Sequence, residues 1–158
     1  MANARDANPP PPFGQIVAVA QRALGDALDE LLRDAGVSFE RWAALNMLAA
    51  RGPAPGAALL GELAEALRAD RGPTAELLGR LEADGLVGPA GDAGTGPSRI
   101  ELTSEGTALH RRLRGAIGRL SARILGGLDP EAIGTTVRTL REVTERAESL
   151  RSGRAVSA

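Results

Sequence analysis

Apolar residues recur at spacings of three and four along six stretches of this chain, and a β-like pattern replaces that rhythm in only one place. The first stripe runs Phe13, Ile16, Val17, Ala20, Leu24, Leu28, Leu31 and Leu32. The second carries Trp42, Leu45 and Leu48, with Met47 beside them. The third has Leu59, Leu60, Leu63 and Leu67, and the fourth Leu77, Leu78 and Leu81. The fifth has Leu109, Leu113, Ile117, Leu120 and Ile124, and the sixth Ile133, Val137, Leu140, Val143, Ala147 and Leu150. Such spacing puts each set on one side of a helix, where it must be covered by another apolar surface.

Punctuation between the stripes sets the element order. Gly36 stops the first helix and Ser38 caps the second. Gly52-Pro53-Ala54-Pro55-Gly56 reads as a loop, and Asp70-Arg71-Gly72 as a turn. Pro73 suits the first position of the fourth helix. Gly85 ends that helix. Leu86-Val87 and Ile100-Glu101-Leu102 then read as two short strands around a turn-rich loop, 88–97. Thr103 caps the fifth helix, Gly126-Gly127 ends it, and Asp129-Pro130 starts the sixth. Residues 1–12, ending in four prolines, and residues 152–158 are expected to be disordered tails. Three central helices followed by a hairpin predict a mainly α, winged helix-turn-helix lobe over 38–103. It is flanked by dimerisation helices over 13–37 and 104–151. The outer helices are too long and too amphipathic to stand alone, so their stripes predict a homodimer.

Residue usage removes several classes of chemistry. The chain has no Cys and one His, His110, which excludes thiolate metal sites, a Cys nucleophile and a multi-His metal centre within one chain. No catalytic triad, nucleotide-binding glycine loop or other cofactor motif is present, so no cofactor or metal is expected. No apolar run approaches the roughly 20 residues of a membrane span. The first residues lack the basic start and apolar core of a secretory signal. The expectation is a cytoplasmic protein with no membrane partner.

Three segments resemble the MarR family of bacterial regulators: Leu63-Ala64-Glu65-Ala66-Leu67, Leu81-Glu82-Ala83-Asp84-Gly85-Leu86-Val87, and Ile100-Glu101-Leu102-Thr103-Ser104-Glu105-Gly106. They are similar to the family's third helix, to the end of its recognition helix with the first wing strand, and to its second wing strand with the following helix cap. The Ser38–Trp42 segment is similar to the start of the family's second helix. The resemblance covers roughly residues 13–151. It implies a triangular homodimer, double-stranded DNA bound by the fourth helix and the wing, and a small-molecule pocket where the dimer helices meet the DNA-binding lobe. On that basis Arg71, Thr74, Glu76, Arg80 and Arg99 are the expected DNA-reading residues, with Arg41 and Arg68 on phosphates. The expected pocket residues are Phe13, Ile16, Val17, Trp42, Asn46, His110, Arg111, Leu113 and Arg114. The basic members favour an anionic or phenolic ligand.

The sequence departs from the family pattern where DNA would be met. Glu76 stands where the family's recognition helix carries an arginine, and Gly94-Thr95-Gly96 stands where its wing carries Asp-x-Arg. Residues 38–103 hold six arginines against nine acids, a net −3, whereas 104–158 hold ten arginines and six acids, a net +4. Affinity for DNA rests largely on neutralising phosphates. Two functions therefore stand side by side. One is a ligand-responsive DNA-binding transcriptional regulator. The other is a protein of the same fold that has lost DNA binding and uses its pocket as a small-molecule binder or cofactor-independent enzyme, with His110 as the acid or base.

Overall fold

A computed structural model of the chain describes residues 12–90 and 99–155. All of the expected tail 1–12 except Pro12, and most of the wing loop, lie outside the described residues. Helix α1 spans Phe13–Asp34. It ends as Gly36 turns into the left-handed region at φ +69°. The Val37 N–H then returns to the Leu32 carbonyl at 2.9 Å, and the Val37 side chain is buried. A helix that closes this way satisfies its last carbonyls and docks one apolar residue beyond its end. Helix α2, Phe39–Arg51, starts at Ser38, whose hydroxyl accepts from the Arg41 N–H at 3.3 Å.

The segment 52–56 is not only a loop. Ala54–Pro55 forms strand β1, which pairs antiparallel with a later strand through Ala54 opposite Ile100. Helix α3 follows over Gly56–Leu67 and stops at Arg68, the one non-glycine residue with positive φ (+50°) among the described residues. Helix α4 spans Arg71–Ala83. It begins two residues earlier than the proline suggested, so Pro73 is the third helical residue. No N–H in a helix's first turn has an intrahelical acceptor, so proline is accommodated there.

Strands β2 (Val87–Pro89) and β3 (Arg99–Leu102) form the wing's base, with Val87 opposite Leu102 and Pro89 opposite Ile100. The sheet order is β1-β3-β2. Helix α5 spans Ser104–Leu125 and helix α6 Pro130–Ala155. The last helix thus continues into residues 152–155, which the sequence placed in a frayed tail. The reading of a mainly helical winged helix-turn-helix is borne out.

The wing and α5 are stitched together at one glycine. The Thr103 N–H donates to the Leu86 carbonyl at 3.1 Å, and the Thr103 hydroxyl donates to the Gly85 carbonyl at 2.6 Å. The same hydroxyl oxygen accepts from the Gly106 N–H at 3.0 Å. Gly106 is pressed so closely to this corner that a Cβ would lie 1.9 Å from the Leu86 oxygen. No side chain fits there.

The chain divides into two compact units, Met1–Gly118 and Arg119–Ala158. In the first, Leu45, Leu48, Leu59, Leu63, Leu77 and Leu81 form the centre of the winged lobe's core, with Leu86 and Val87 from the wing. A second cluster joins Leu32, Val37 and Leu113, with Leu28, Leu31, Trp42 and Leu109 packed against it. In the second unit, Asp129 caps α6 by accepting from the Glu131 N–H at 3.1 Å. No described residue of α6 is buried, and Val137, Leu140, Val143 and Leu150 are all exposed.

Candidate nucleic-acid interface and ligand site

The face that α4 turns away from the core is the candidate DNA-reading surface. Thr74, Leu77, Leu78 and Leu81 face inward. Thr74 is 2% exposed, and its hydroxyl donates to the Asp70 carbonyl at 2.8 Å. This corrects the expectation of Thr74 as a DNA contact. Its position one turn after the helix start turns the side chain back onto the backbone and into the core. Glu76 and Arg80 are exposed, as are Arg71 and Arg68 at the turn before α4. Among the described residues none of these four makes an ion pair.

Two other expected contacts have structural partners. Arg41 is bound to the Asp84 carboxylate at 2.6 Å, tying the start of α2 to the end of α4. Arg99 donates to the Pro53 carbonyl at 2.5 Å, beside the β1–β3 pairing. Both guanidiniums are therefore partly spent within the lobe.

A half-open cavity of about 340 Å³ lies between the starts of α2 and α4. Leu67, Pro73 and Leu77 supply apolar wall, and Ser38, Glu40, Arg41 and Arg80 supply polar groups. The Glu40 carboxyl is held below its ordinary range by its own backbone N–H and then by the Ser38 hydroxyl. The Nε of Arg41 is buried and has no hydrogen-bond partner. No small-molecule role is expected of these residues from the sequence, because they come from three separated segments and carry no motif.

Among the nine expected pocket residues, the structure brings four together. Trp42 and His110 stack with ring centroids 5.3 Å apart and planes 11° from parallel. Asn46 Oδ1 lies 3.2 Å from His110 Nε2, a pairing that favours the proton on Nε2. Leu113 packs in the cluster against Trp42 at 1% exposure. His110 is 8% exposed, and burial, followed by the Arg114 charge, lowers its pKa from the ordinary 6.5. It is a packed imidazole whose surroundings favour the neutral form.

The other five do not join that group into one surface within a chain. Phe13 and Ile16 are 53% and 52% exposed. Val17 is half-buried, and Arg111 and Arg114 are exposed on α5. An apolar floor of Ile16, Val17 and Leu113 is therefore not formed by one chain. Leu113 belongs to the interior, whereas the first half of α1 has no buried residue.

With this geometry in place, solved structures identify the fold. No protein-family model and no curated protein matches the chain by sequence. A MarR family protein from Bacillus stearothermophilus superposes with a TM-score of 0.71 at 22% identity, covering 85% of this chain and 92% of that one. The chain has the MarR-type winged-helix fold. The transcriptional regulator PA3341 gives a TM-score of 0.70 at 27% identity, over 87% of this chain and 98% of that one. The Mycobacterium tuberculosis MarR family protein Rv2887, solved in complex with salicylic acid, gives 0.67 at 23% identity, over 85% and 98%. In the MarR fold, α3 and α4 are the helix-turn-helix, and β2 and β3 are the wing. No helix among the described residues is long and apolar enough to cross a membrane.

Proposed function

We propose that this chain is a cytoplasmic, homodimeric, ligand-responsive transcriptional regulator that binds double-stranded DNA through α4 and the wing. The observation that carries this reading is α4 itself. It is a helix of a winged lobe with an open outward face, and Arg68, Arg71 and Arg80 stand beside that face with no carboxylate partner among the described residues. The likeness to a protein described as a transcriptional regulator supports it. The exposed apolar residues of α1 and α6, Phe13, Ile16, Val19 and Leu24 with Val137, Leu140, Val143 and Leu150, would be covered by a second copy. The ligand would be small and anionic or phenolic, in keeping with the salicylic acid bound to the M. tuberculosis relative.

Gel retardation of fragments from the source genome, at low and physiological salt, tests the reading. Binding that weakens steeply with salt and is lost in Arg80→Ala is the expected result. No retardation of any fragment at low salt would overturn it.

One set of observations favours a second reading. Thr74 is buried, Arg41 and Arg99 have internal partners, and Glu76 places a negative charge on the reading face. In that reading the fold is kept for binding a small molecule, or for acid–base chemistry at His110. Ligand turnover by the wild type that falls about 10²–10⁴-fold in His110→Ala would establish the catalytic version.

A further inference from the structure

Along the middle of the outward face of α4, one long side chain stands among small residues, with Ala75 and Arg80 to either side. Helical geometry sets Gly72, Glu76, Gly79 and Ala83 on one line, opposite the inward-facing Thr74, Leu77, Leu78 and Leu81. Gly79 lies in the helix interior, where glycine costs roughly 0.5–1 kcal/mol relative to alanine and close packing commonly explains it, whereas Gly72 lies in the first turn. Packing does not explain it here. A Cβ added at Gly72 or at Gly79 meets nothing within 4 Å, whereas one at Gly106 meets backbone at 1.9 Å. The two glycines leave the helix surface flat on both sides of Glu76, so an opposing surface can approach the backbone closely. Glu76 is then the only residue on that line long enough to reach into the opposing surface.

We propose that Glu76 is the base-reading residue of this chain and that it selects a cytosine in the major groove. This rests on the DNA-binding reading above. A carboxylate is an acceptor only, so it needs a donor on the base edge. Guanine presents N7 and O6, both acceptors, and thymine presents O4 and a methyl group. Adenine offers N6–H but sets the N7 acceptor beside it. Cytosine offers its N4 amine alone. Glu76 therefore favours C, tolerates A less well, and is repelled by G and T at the same position. Arg71 and Arg80 flank the line and offset the repulsion between one carboxylate and the phosphates. No ion pair joins Glu76 to Arg80 among the described residues, so the carboxylate is available.

Selection from a library of randomised duplexes, with the full chain and with Glu76→Gln, tests the inference. Residue 76 is exposed and has no side-chain partner among the described residues, so the exchange should leave the fold intact. The wild type should enrich C·G at one position of each half-site, with a loss on the order of tenfold when that pair is reversed to G·C. Glu76→Gln should move the preference at that position alone to A·T, because glutamine matches the N6–H and N7 of adenine. Two results would overturn the inference while leaving DNA binding intact. One is identical base preferences in both proteins. The other is a uniform gain in affinity for all sequences in Glu76→Gln, which would mean that Glu76 acts only as a repulsive charge. Failure of both proteins to enrich or retain any duplex at low salt would remove the DNA-binding reading, and this inference with it.

Discussion

The winged lobe and helix α6 solve the same problem in opposite ways. Both are built from apolar stripes at helical spacing. In the lobe, the stripes of α2, α3 and α4 meet one another and the small sheet, and Leu45, Leu59, Leu63 and Leu81 are completely enclosed. In α6, Val137, Leu140, Val143 and Leu150 lie along 26 residues of helix, none of the described ones buried, and Leu150 is 68% exposed. Periodicity alone therefore says that a face will be covered, not by what. The lobe carries its own cover within one chain. The face of α6 remains available to a second copy, which is how the proposed dimer uses it.

Cutting a core leucine is the strongest way to separate the two regions. Leu63→Ala should cost about 2–5 kcal/mol in urea unfolding, because the enclosed site cannot fully collapse. Leu140→Ala should cost far less under dilute conditions where the chain is monomeric. The pair Leu140→Glu with Leu150→Glu should instead shift sedimentation from dimer to monomer, since charge buried without a partner is costly. A double variant that still sediments as a stable dimer would break the contrast.

Next comes the glycine at the corner of wing and α5. Gly106→Ala forces a methyl group against the Leu86 carbonyl and should lose about 3 kcal/mol or more, at or beyond the upper end of ordinary overpacking. Gly79→Ala, made where nothing lies within 4 Å, should gain about 0.5–1 kcal/mol. Equal effects at the two sites, read from denaturation midpoints, would contradict the packing described for Gly106.

A smaller effect depends on pH. The folded pKa of His110 is lowered, so below pH 6.5 the unfolded chain takes up a proton that the folded chain resists. Stability should be complete above 6.5 and decline as the pH falls from there toward the lowered folded value. Urea midpoints at pH 7.5 and 5.5 should differ more for the wild type than for His110→Gln. Last, Arg41→Ala should cost no more than about 1 kcal/mol, because its pairing with Asp84 is solvent-exposed. A larger loss would make the tie between α2 and α4 part of the lobe's core rather than its rim.

Legibility in the sequence followed the range of the interactions. Helix limits set by local chemistry, such as Gly36, Ser38 and Asp129-Pro130, could be read directly because a cap and its target are only a few residues apart. Strand β1 could not. Ala54-Pro55 looks like loop until Ile100, 46 positions later, supplies its pairing partner. Thr74 is expected on the DNA-reading face from family position alone, yet it lies three, four and seven residues before Leu77, Leu78 and Leu81 and so shares their inward face. Trp42 and His110 are expected at one site from their places early in α2 and α5, and they do meet. Ile16 and Leu113 are expected together too, yet one lies in solvent and the other in the interior. The 340 Å³ cavity beside Arg41 and Arg80 was illegible, being assembled from side chains that share no local signal.

The stack of Trp42 on His110 has a practical side. The chain has a single tryptophan and no tyrosine, so its near-ultraviolet emission comes essentially from one indole. That indole rests on an imidazole at a centroid distance of 5.3 Å, among the residues that the family resemblance implies for the ligand pocket. Charging the ring below, parting the two rings, or seating a molecule beside them changes the surroundings of the only emitter. The protein thus carries a built-in optical probe at its candidate sensing site, and titration with protons, ligand or duplex can be followed without attaching a label.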